Sequence, residues 1–228
     1  MMTTASIYDY CQLPPVLRQH MLRVTKTGKW ILAHWSGAEF DQSLYIHALL
    51  VHDLGNLAKF DLSPTATVRL LPLENINEWR QIQQNFISRY GKNADEATLK
   101  LIQELQLPRA DELIKLIGGH TPNRLAETVQ NHNWAQKLLD YTDFRVGPFG
   151  ILSLDERFAD LTKRYQYRTK EWGDPAWIQT QLNYFKQLES QIASQLTEPI
   201  TNLNDDAIAG WSDEDILAIP WTDNLNQI

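Results

Sequence analysis

The chain has 228 residues, of which 43% are hydrophobic and 21% charged, and its formal net charge is -7. This composition is typical of a globular protein, and the length suffices for one large domain or one domain with an appendage. The charge imbalance lies from Thr197 onward, where seven acidic residues occur without a lysine or arginine. Neither the neutral body nor this acidic tail offers the basic surface that nucleic-acid binding requires, so no nucleic-acid partner is expected.

The amino-terminal segment, MMTTASIYDYCQLPP, lacks the basic and apolar regions of a signal peptide. No stretch of the sequence approaches the roughly 20 apolar residues of a membrane-spanning helix. Cys11 is the only cysteine, so an internal disulfide is impossible and a reducing compartment is expected. Together these features predict a cytoplasmic protein that has no membrane association.

Two helices that carry an inward-facing histidine are predicted near the start of the chain. Over Pro14–Trp35 apolar residues recur at steps of three and four, which is the spacing of one helical face, and His20 lies on that face. Asp41 can cap a second helix, whose apolar spacing places His52 on the inward face. Gly55 is expected to end this second helix.

Helical patterns also cover most of the remaining chain. They span about 77–90, 95–106, 109–118, 123–145, 153–167 and 175–196. The pattern from Ser153 opens with a capping box, and the last pattern is amphipathic. A short hairpin around 147–151 is the one competing strand pattern. The sequence therefore predicts an all-α protein with a C-terminal amphipathic helix and an acidic tail.

His52 and Asp53 stand side by side at the end of an apolar run, LVHDLGNL. Burying two unpaired ionisable groups would cost several kcal/mol, which indicates that they bind something. Residues adjacent on a helix point about 100° apart, so both can reach one ion only near the helix end. Two further ligands must come from elsewhere. His20 is well placed on the first helix, and Asp140 or Asp143 could supply a carboxylate from a late helix.

The order of these residues resembles the HD-domain superfamily of metal-dependent phosphohydrolases. That family carries a histidine, a His-Asp doublet and a distant aspartate on successive helices of an all-α bundle, and the resemblance covers roughly residues 14–168. The segment 141–157, YTDFRVGPFGILSLDER, also looks like the end of such domains in a bacterial subgroup. The resemblance implies four metal ligands, which are His20, His52, Asp53 and Asp143.

Two departures from the family pattern bear on the site. Many members have a lysine after the glycine of the doublet segment, whereas this sequence has Asn56, and the next basic residue is Lys59. Members with two or three metals add further histidines or acids, and here His120 is the obvious extra candidate. A single-metal site is therefore expected, in a domain spanning residues 1–170 on which residues 171–228 pack.

The resemblance implies hydrolysis of a phosphomonoester, phosphodiester or phosphoanhydride, with nucleotides as the substrate class. Two imidazoles and two carboxylates suit Mn, Fe, Co, Ni or Zn, with Mg less favoured. Such an ion makes hydroxide available at neutral pH, and Asp53 could orient the attacking water and accept its proton. His120 is a further catalytic candidate. Arg23, Lys59 and Arg145 are candidates for binding the phosphate at the rim of the site.

Two other interpretations remain open. The fold could serve as a metal-bound sensor or binding module without turnover. The complete set of metal ligands argues against this interpretation, and the absence of the lysine found in many family members argues for it. Alternatively, the His-Asp pair could be accidental in an all-α structural protein. A homo-oligomer is possible, since the amphipathic stripe over 178–196 could form an interface between subunits. The simpler expectation is that this stripe packs in the core of the protein.

Other features predict packing or local structure. His34, His47 and His132 lack a comparable context and are expected at the surface. Ser212 begins a short helix with acidic residues at its N-terminus, where they complement the helix dipole. The acidic tail is expected to fold back on the basic stretch 157–170, with binding of a partner protein as the alternative.

Overall fold

The computed structural model describes residues 2–63, 71–120 and 124–222, and over these ranges the fold is all-α. Its helices are α1 (Thr4–Tyr10), α2 (Pro15–Ala33), α3 (Gln42–Val51), α4 (Ile76–Tyr90), α5 (Ala94–Glu104), α6 (Ala110–Ile117), α7 (Leu125–Gln130), α8 (Trp134–Arg145), α9 (Leu154–Tyr165), α10 (Pro175–Ala193) and α11 (Asp213–Leu217). The expected hairpin is reduced to a single bridge between Val146 and Ile151. Among the helices described, none combines the length and the apolar character that crossing a bilayer demands.

Most of the predicted helices form within a few residues of their expected bounds, as α4, α5, α6, α9 and α10 do. Asp41 caps α3 as predicted, because its side chain accepts a hydrogen bond from the amide of Leu44 at 2.8 Å. Ser153 forms the predicted capping box with Glu156. One helix that was not predicted, α1, begins with another capping box at Thr3.

The region predicted as one helix over 123–145 contains two, α7 and α8, which residues 131–133 separate. Asn133 caps α8 by accepting a hydrogen bond from the amide of Gln136 at 3.2 Å. An asparagine side chain that bonds to the backbone in this way competes with the regular hydrogen bonds of a helix and interrupts it. Residues 130–133, QNHN, carry no apolar side chain, so the apolar spacing is interrupted there, and the prediction of a single helix overlooked this gap.

Three helices in mutual contact, α2, α3 and α8, lie at the centre of the fold. Tyr45 on α3 is fully buried, and its hydroxyl oxygen lies 2.6 Å from that of Thr142 on α8. Gly28 allows α2 to approach α3, because a Cβ added there would lie only 2.3 Å from Cδ1 of Leu49. These contacts fix the relative positions of the three helices that lead to the histidines and aspartates predicted as metal ligands.

The acidic tail packs on α1 and α2, so the expectation that it covers the basic stretch 157–170 is wrong. Asp213 forms an ion pair with Lys26 on α2 at 2.6 Å. The indole nitrogen of Trp221 donates a hydrogen bond to Oγ1 of Thr4 on α1 at 3.1 Å. The arginines of the basic stretch pair instead with aspartates outside the tail. The tail therefore belongs to the same packed body as the first two helices.

His47 is buried, contrary to the expectation of a surface residue. Its ring meets that of Trp221 edge-on, with centroids 4.5 Å apart, and Nδ1 donates a hydrogen bond to the carbonyl oxygen of Ser43 at 2.8 Å. Nε2 has no hydrogen-bond partner among the described residues. Burial lowers the pKa of His47, because the protonated ring would lose its hydration. Trp221 is distant in the sequence, so local spacing gave no sign of this burial.

Acid should destabilise the wild-type protein more than the variant His47→Phe. Because the pKa of His47 is lowered in the folded protein, the unfolded chain takes up a proton first, near the ordinary value of 6.5. The free energy of unfolding then falls as the pH drops below that value, by at most about 1.4 kcal/mol per pH unit for one proton. Urea unfolding at about pH 7, 6 and 5 measures this slope, with His132→Phe as the control for an exposed histidine. Equal slopes in the wild type and His47→Phe would contradict the burial of a neutral ring.

Candidate metal centre

The four side chains predicted as metal ligands come together where α2, α3 and α8 meet. His20 lies on α2, Asp143 lies on α8, and His52 and Asp53 directly follow α3. One ligand atom from each of the four lies within 4.8 Å of the others. Two imidazole nitrogens and two carboxylate oxygens at this spacing can surround a single ion.

Asp143 lies closest to both histidines. Its Oδ1 is 3.0 Å from Nε2 of His20 and 3.2 Å from Nε2 of His52. Oδ2 of Asp53 is 3.6 Å and 3.8 Å from the same two nitrogens. Both imidazoles therefore direct Nε2 toward both carboxylates, so that the four donor atoms converge on one small region.

The end of α3 orients His52. The helix stops at Val51, and Nδ1 of His52 donates a hydrogen bond to the carbonyl oxygen of Leu49 at 2.8 Å. This bond pairs one of the carbonyl groups that every helix end leaves without an intrahelical partner. Because Nδ1 is engaged in this bond, Nε2 is the ring nitrogen that faces the cluster. In metal sites, a hydrogen bond at one ring nitrogen commonly leaves the other free to bind the metal in this way.

The turn after α3 requires Gly55, but the helix itself ends at Val51, four residues before the glycine that was expected to end it. Gly55 has a φ of -83°. Its amide donates a hydrogen bond to Oγ1 of Thr98 on α5 at 2.9 Å. A Cβ at this position would lie 2.0 Å from the carbonyl oxygen of Ala94. The glycine therefore lets the turn that carries Asp53 lie directly against the first turn of α5.

His120 adjoins the cluster and is held by a second aspartate. Its Nδ1 lies 2.7 Å from Oδ1 of Asp140, and its Nε2 lies 3.1 Å from Oδ2 of Asp143. Asp140 also accepts a hydrogen bond from Nε2 of Gln136 at 2.8 Å. Spacing alone left the choice between the two aspartates open, and the family resemblance favoured Asp143. In the structure Asp143 faces the histidines of the cluster, and Asp140 supports His120.

Contacts within the cluster shift several pKa values. Burial raises the pKa of Asp143, but the charge of His52 and hydrogen bonds from three histidines outweigh it, so this pKa lies well below its usual value. Burial lowers the pKa of His120, but its bonds to Asp140 and Asp143 and their charges outweigh burial and raise this pKa well above its usual value. The same balance raises the pKa of His52. Protons and a metal ion therefore compete for these side chains.

A cavity of about 410 Å³ opens onto the cluster, and His20, Asp53, His120 and Asp143 all line it. Its wall also carries four cationic side chains, which are Lys59, Arg157, Arg164 and Arg168. Guanidinium and ammonium groups are the usual protein donors to carboxylate and phosphate oxygens. The cavity therefore joins a group of metal-ligating side chains to a wall suited to an anionic ligand.

The basic stretch 157–170 contributes to the site, which was not predicted. Arg157, Arg164 and Arg168 recur at steps of seven and four, which is the spacing of one helical face, and all three line the cavity. That spacing was the available signal. Arg157 and Arg164 pair with Asp160, and Arg168 pairs with an aspartate of another segment, so part of their charge is already balanced.

Arg145 does not line the cavity, so its predicted place at the rim is wrong. It follows Asp143 by two residues, which turns its side chain by about 200° to the other face of α8. There its guanidinium group donates hydrogen bonds to the carbonyl oxygen of Leu152 and the hydroxyl of Tyr141, and it pairs with Glu189. Arg145 therefore joins α8 to α10 and to the segment before α9.

Of the other two phosphate-binding candidates, Lys59 lines the cavity and Arg23 does not. Nε of Arg23 lies 3.3 Å from Oδ1 of Asp205 in the acidic tail. Arg23 is one helical turn from His20, so local spacing favoured a place at the rim. The returning tail provides a carboxylate for this arginine instead, so Arg23 lies outside the lining of this cavity, and its part in phosphate binding stays a prediction.

Comparison with known proteins identified no protein similar to this chain. No protein-family model matches the sequence, and the searches of curated proteins and of solved structures found no match either. The interpretation of the site consequently rests on its residues. The structure shows an all-α fold in which two histidines and two aspartates form a cluster that could hold a metal ion.

Proposed function

We propose that this protein is an HD-type metal-dependent phosphohydrolase that cleaves a phosphoester or phosphoanhydride bond, with a nucleotide as its substrate. The observation that carries the proposal is the convergence of His20, His52, Asp53 and Asp143 at a cavity with cationic side chains on its wall. The order of these four residues along the chain, which resembles the HD family, supports the same function.

The ligand set fits a divalent transition metal such as Mn, Fe, Co, Ni or Zn, because imidazole and carboxylate suit these ions. Mg prefers ligand sets made of oxygen and fits less well. A bound ion would polarise the phosphoryl group and lower the pKa of a bound water toward about 7. The bond from Nδ1 of His52 to the carbonyl oxygen of Leu49 keeps Nε2 directed at the cluster.

In the proposed mechanism Asp53 and His120 carry out the two proton transfers of hydrolysis. As the water oxygen bonds to phosphorus, the bond from phosphorus to the leaving oxygen breaks. Asp53 would accept the proton of the water on a carboxylate oxygen. His120, which lines the cavity and lies beside Asp143, would donate the proton on Nε2 to the leaving oxygen. Asp140 is then a positioning residue, because it holds Nδ1 of His120.

The cationic wall would bind the phosphate oxygens of the substrate. Guanidinium groups present several donors in one plane and bond to phosphate in pairs. Arg164 and Arg168 line the cavity while they pair with Asp160 and Asp61. These carboxylates hold the arginines in place. Lys59 adds an exposed ammonium group at the same cavity.

Product analysis by mass spectrometry tests the proposed activity. The protein is incubated with Mn, Co, Ni or Mg and a pool of nucleoside monophosphates, diphosphates, triphosphates and cyclic nucleotides. We expect a metal-dependent product, and Asp53→Ala should lower its rate of formation by about 1000-fold, since the variant lacks both a ligand and the proton acceptor. Asp111→Ala on α6, at an exposed position, is the matched control.

Three results would contradict different parts of the proposal. An untouched pool, from protein that retains its metal, would contradict turnover and favour a metal-bound sensor or binding module. Product formation that persists in Asp53→Ala would place the chemistry elsewhere. Protein that retains no metal after purification without chelator, and whose melting temperature does not respond to added metal, would contradict the metal site itself.

A further inference from the structure

Asn56 brings a neutral carboxamide to the cavity that opens onto the metal cluster. The residue is only 7% exposed, and it lines the cavity together with His20 and Asp53. Its backbone amide donates a hydrogen bond to the carbonyl oxygen of Asp53 at 2.9 Å. Such a bond closes a turn whose first and last Cα atoms lie less than about 7 Å apart. Asn56 is therefore a near neighbour of a candidate metal ligand.

The side chain of Asn56 makes no hydrogen bond to another described residue. Its polar atoms are nevertheless not sealed from solvent, unlike Oε1 of Gln181 and Oδ2 of Asp140. Because Asn56 is otherwise buried and lines the cavity, we infer that its carboxamide reaches solvent through the cavity. Water can satisfy the carboxamide in the free protein. A ligand that displaces this water must supply matching hydrogen bonds to keep its affinity.

The carboxamide of Asn56 can both donate and accept hydrogen bonds, since it has two donors on Nδ2 and an acceptor in Oδ1. Ionised phosphate oxygens only accept, so a phosphate at this position would leave Oδ1 facing a negative charge without a donor. A hydroxyl group both donates and accepts, and two neighbouring hydroxyls can use Oδ1 and Nδ2 together. The carboxamide is therefore better matched to hydroxyl groups than to phosphate.

Arg157 offers the phosphate a separate donor at the same cavity. Its side chain is 11% exposed. Nε donates to the carbonyl oxygen of Phe144 at 2.9 Å, and Nη1 donates to Oδ2 of Asp160 at 2.9 Å. These bonds hold the guanidinium group beside the residue that follows Asp143, and they leave Nη2 available to a ligand. The phosphate consequently does not depend on the carboxamide of Asn56.

The connectivity of a nucleotide indicates which of its hydroxyls Asn56 can reach. The sugar is joined directly to the phosphate, and the base lies beyond the sugar. Because Asn56 is a near neighbour of Asp53, a phosphate bound at the cluster places the sugar closer to Asn56 than the base. The two hydroxyls of a ribose stand on adjacent carbon atoms and can pair with Oδ1 and Nδ2.

We propose that Asn56 binds the sugar hydroxyls of the substrate and thereby selects ribonucleotides over nucleotides that lack these hydroxyls. This inference rests on the proposed function and narrows its substrate class. Asn56 is a residue that determines specificity in this scheme. It takes no part in the proton transfers, and it is not needed to hold the metal.

Calorimetry with ligands that cannot be hydrolysed tests this binding apart from turnover. The 5′-phosphonates of adenosine, 2′,3′-dideoxyadenosine and uridine are titrated into the metal-loaded protein. We expect the adenosine compound to bind at least about tenfold more tightly than the dideoxy compound, because two hydrogen bonds are lost. Asn56→Leu keeps the branching of the side chain and removes its donors and its acceptor. This variant should bind the two adenine compounds within about twofold of each other and should retain the metal.

Asn85→Leu, at an exposed position on α4, is the matched control and should keep the full preference for the adenosine compound. Equal affinity of the wild type for the adenosine and dideoxy compounds would overturn the inference, and this comparison needs no variant to fold. A preference that persists in Asn56→Leu would overturn the role of this residue. Loss of metal from Asn56→Leu would overturn it too, since the carboxamide would then support the cluster.

Two further results separate this inference from the proposed function. A difference between the adenosine and uridine compounds that disappears in Asn56→Leu, without any effect of the hydroxyls, would overturn the inference because the carboxamide would contact the base. Metal-dependent hydrolysis of ribonucleotides and dideoxynucleotides at equal rates and with equal affinities would leave the proposed function standing and remove only the role of Asn56. Metal-loaded protein that binds none of the compounds and hydrolyses no nucleotide would contradict both.

Discussion

Asp143→Asn should lower the affinity of the protein for Mn or Co by about 100-fold or more. The asparagine keeps the volume of the side chain but removes the charge that lies 3.0 Å and 3.2 Å from Nε2 of His20 and His52. Loss of a group that merely supports a ligand costs about 10-fold to 100-fold in metal affinity, and loss of a ligand should cost at least the upper value. Metal content after dialysis and the increase of melting temperature with added metal measure the effect.

Asp140→Asn is the matched control, because Asp140 lies one turn away on α8 and contacts His120 rather than the cluster. Asp140→Asn should lower the affinity for the metal by about tenfold or less. It should lower the rate of turnover by a larger factor than that, since His120 loses the charged carboxylate that holds its Nδ1. If Asp140→Asn released the metal and Asp143→Asn retained it, the ligand assignment would have to be exchanged.

Gly55→Ala should destabilise the fold by about 3 kcal/mol, which is the upper range for inserting an atom into a packed site. The added Cβ would lie 2.0 Å from the carbonyl oxygen of Ala94 and 2.7 Å from the amide nitrogen of Thr98. Neither is the flexible end of a side chain, so the turn must move away from α5. In a domain of this size the melting temperature should fall by about 6–12 °C.

The displaced turn carries His52 and Asp53, so Gly55→Ala should also weaken metal binding. Gly210→Ala is the matched control, because no atom lies within 4 Å of a Cβ at that position. Circular dichroism followed with temperature, with and without added metal, measures both effects. A melting temperature equal to that of Gly210→Ala would contradict the close approach of the turn to α5.

The main elements of the fold could be predicted from the sequence because they depend on local patterns. Apolar spacing located α2 and α3, and the side chains of Asp41 and Ser153 cap helices as predicted. The spacing also placed His20 and His52 on inward faces, and both histidines do lie in one cluster. The break before Asn133 was missed, although Asn133 is a residue type that often caps the start of a helix and residues 130–133 are all polar.

The surroundings of the cluster could be predicted less well because they depend on distant parts of the chain. Arg23 pairs with Asp205 only because the acidic tail returns across α2. The burial of His47 likewise depends on Trp221. The position of Arg145 is a different case, since its angle from Asp143 along one helix would have been enough to reject it. Helical spacing could not separate Asp143 from Asp140, because one helical turn separates them, and the family resemblance was what selected Asp143.

An ion held by the cluster would join segments that are far apart in the sequence. His20 and Asp143 are 123 residues apart, and His52 and Asp143 are 91 residues apart. Closing loops of this length is entropically costly, so such contacts tend to form late in folding. Interactions absent from the folding transition state act mainly by slowing unfolding. Metal would therefore prolong the lifetime of the native state, and the metal-free protein would be cleaved sooner by proteases that act on unfolded chains.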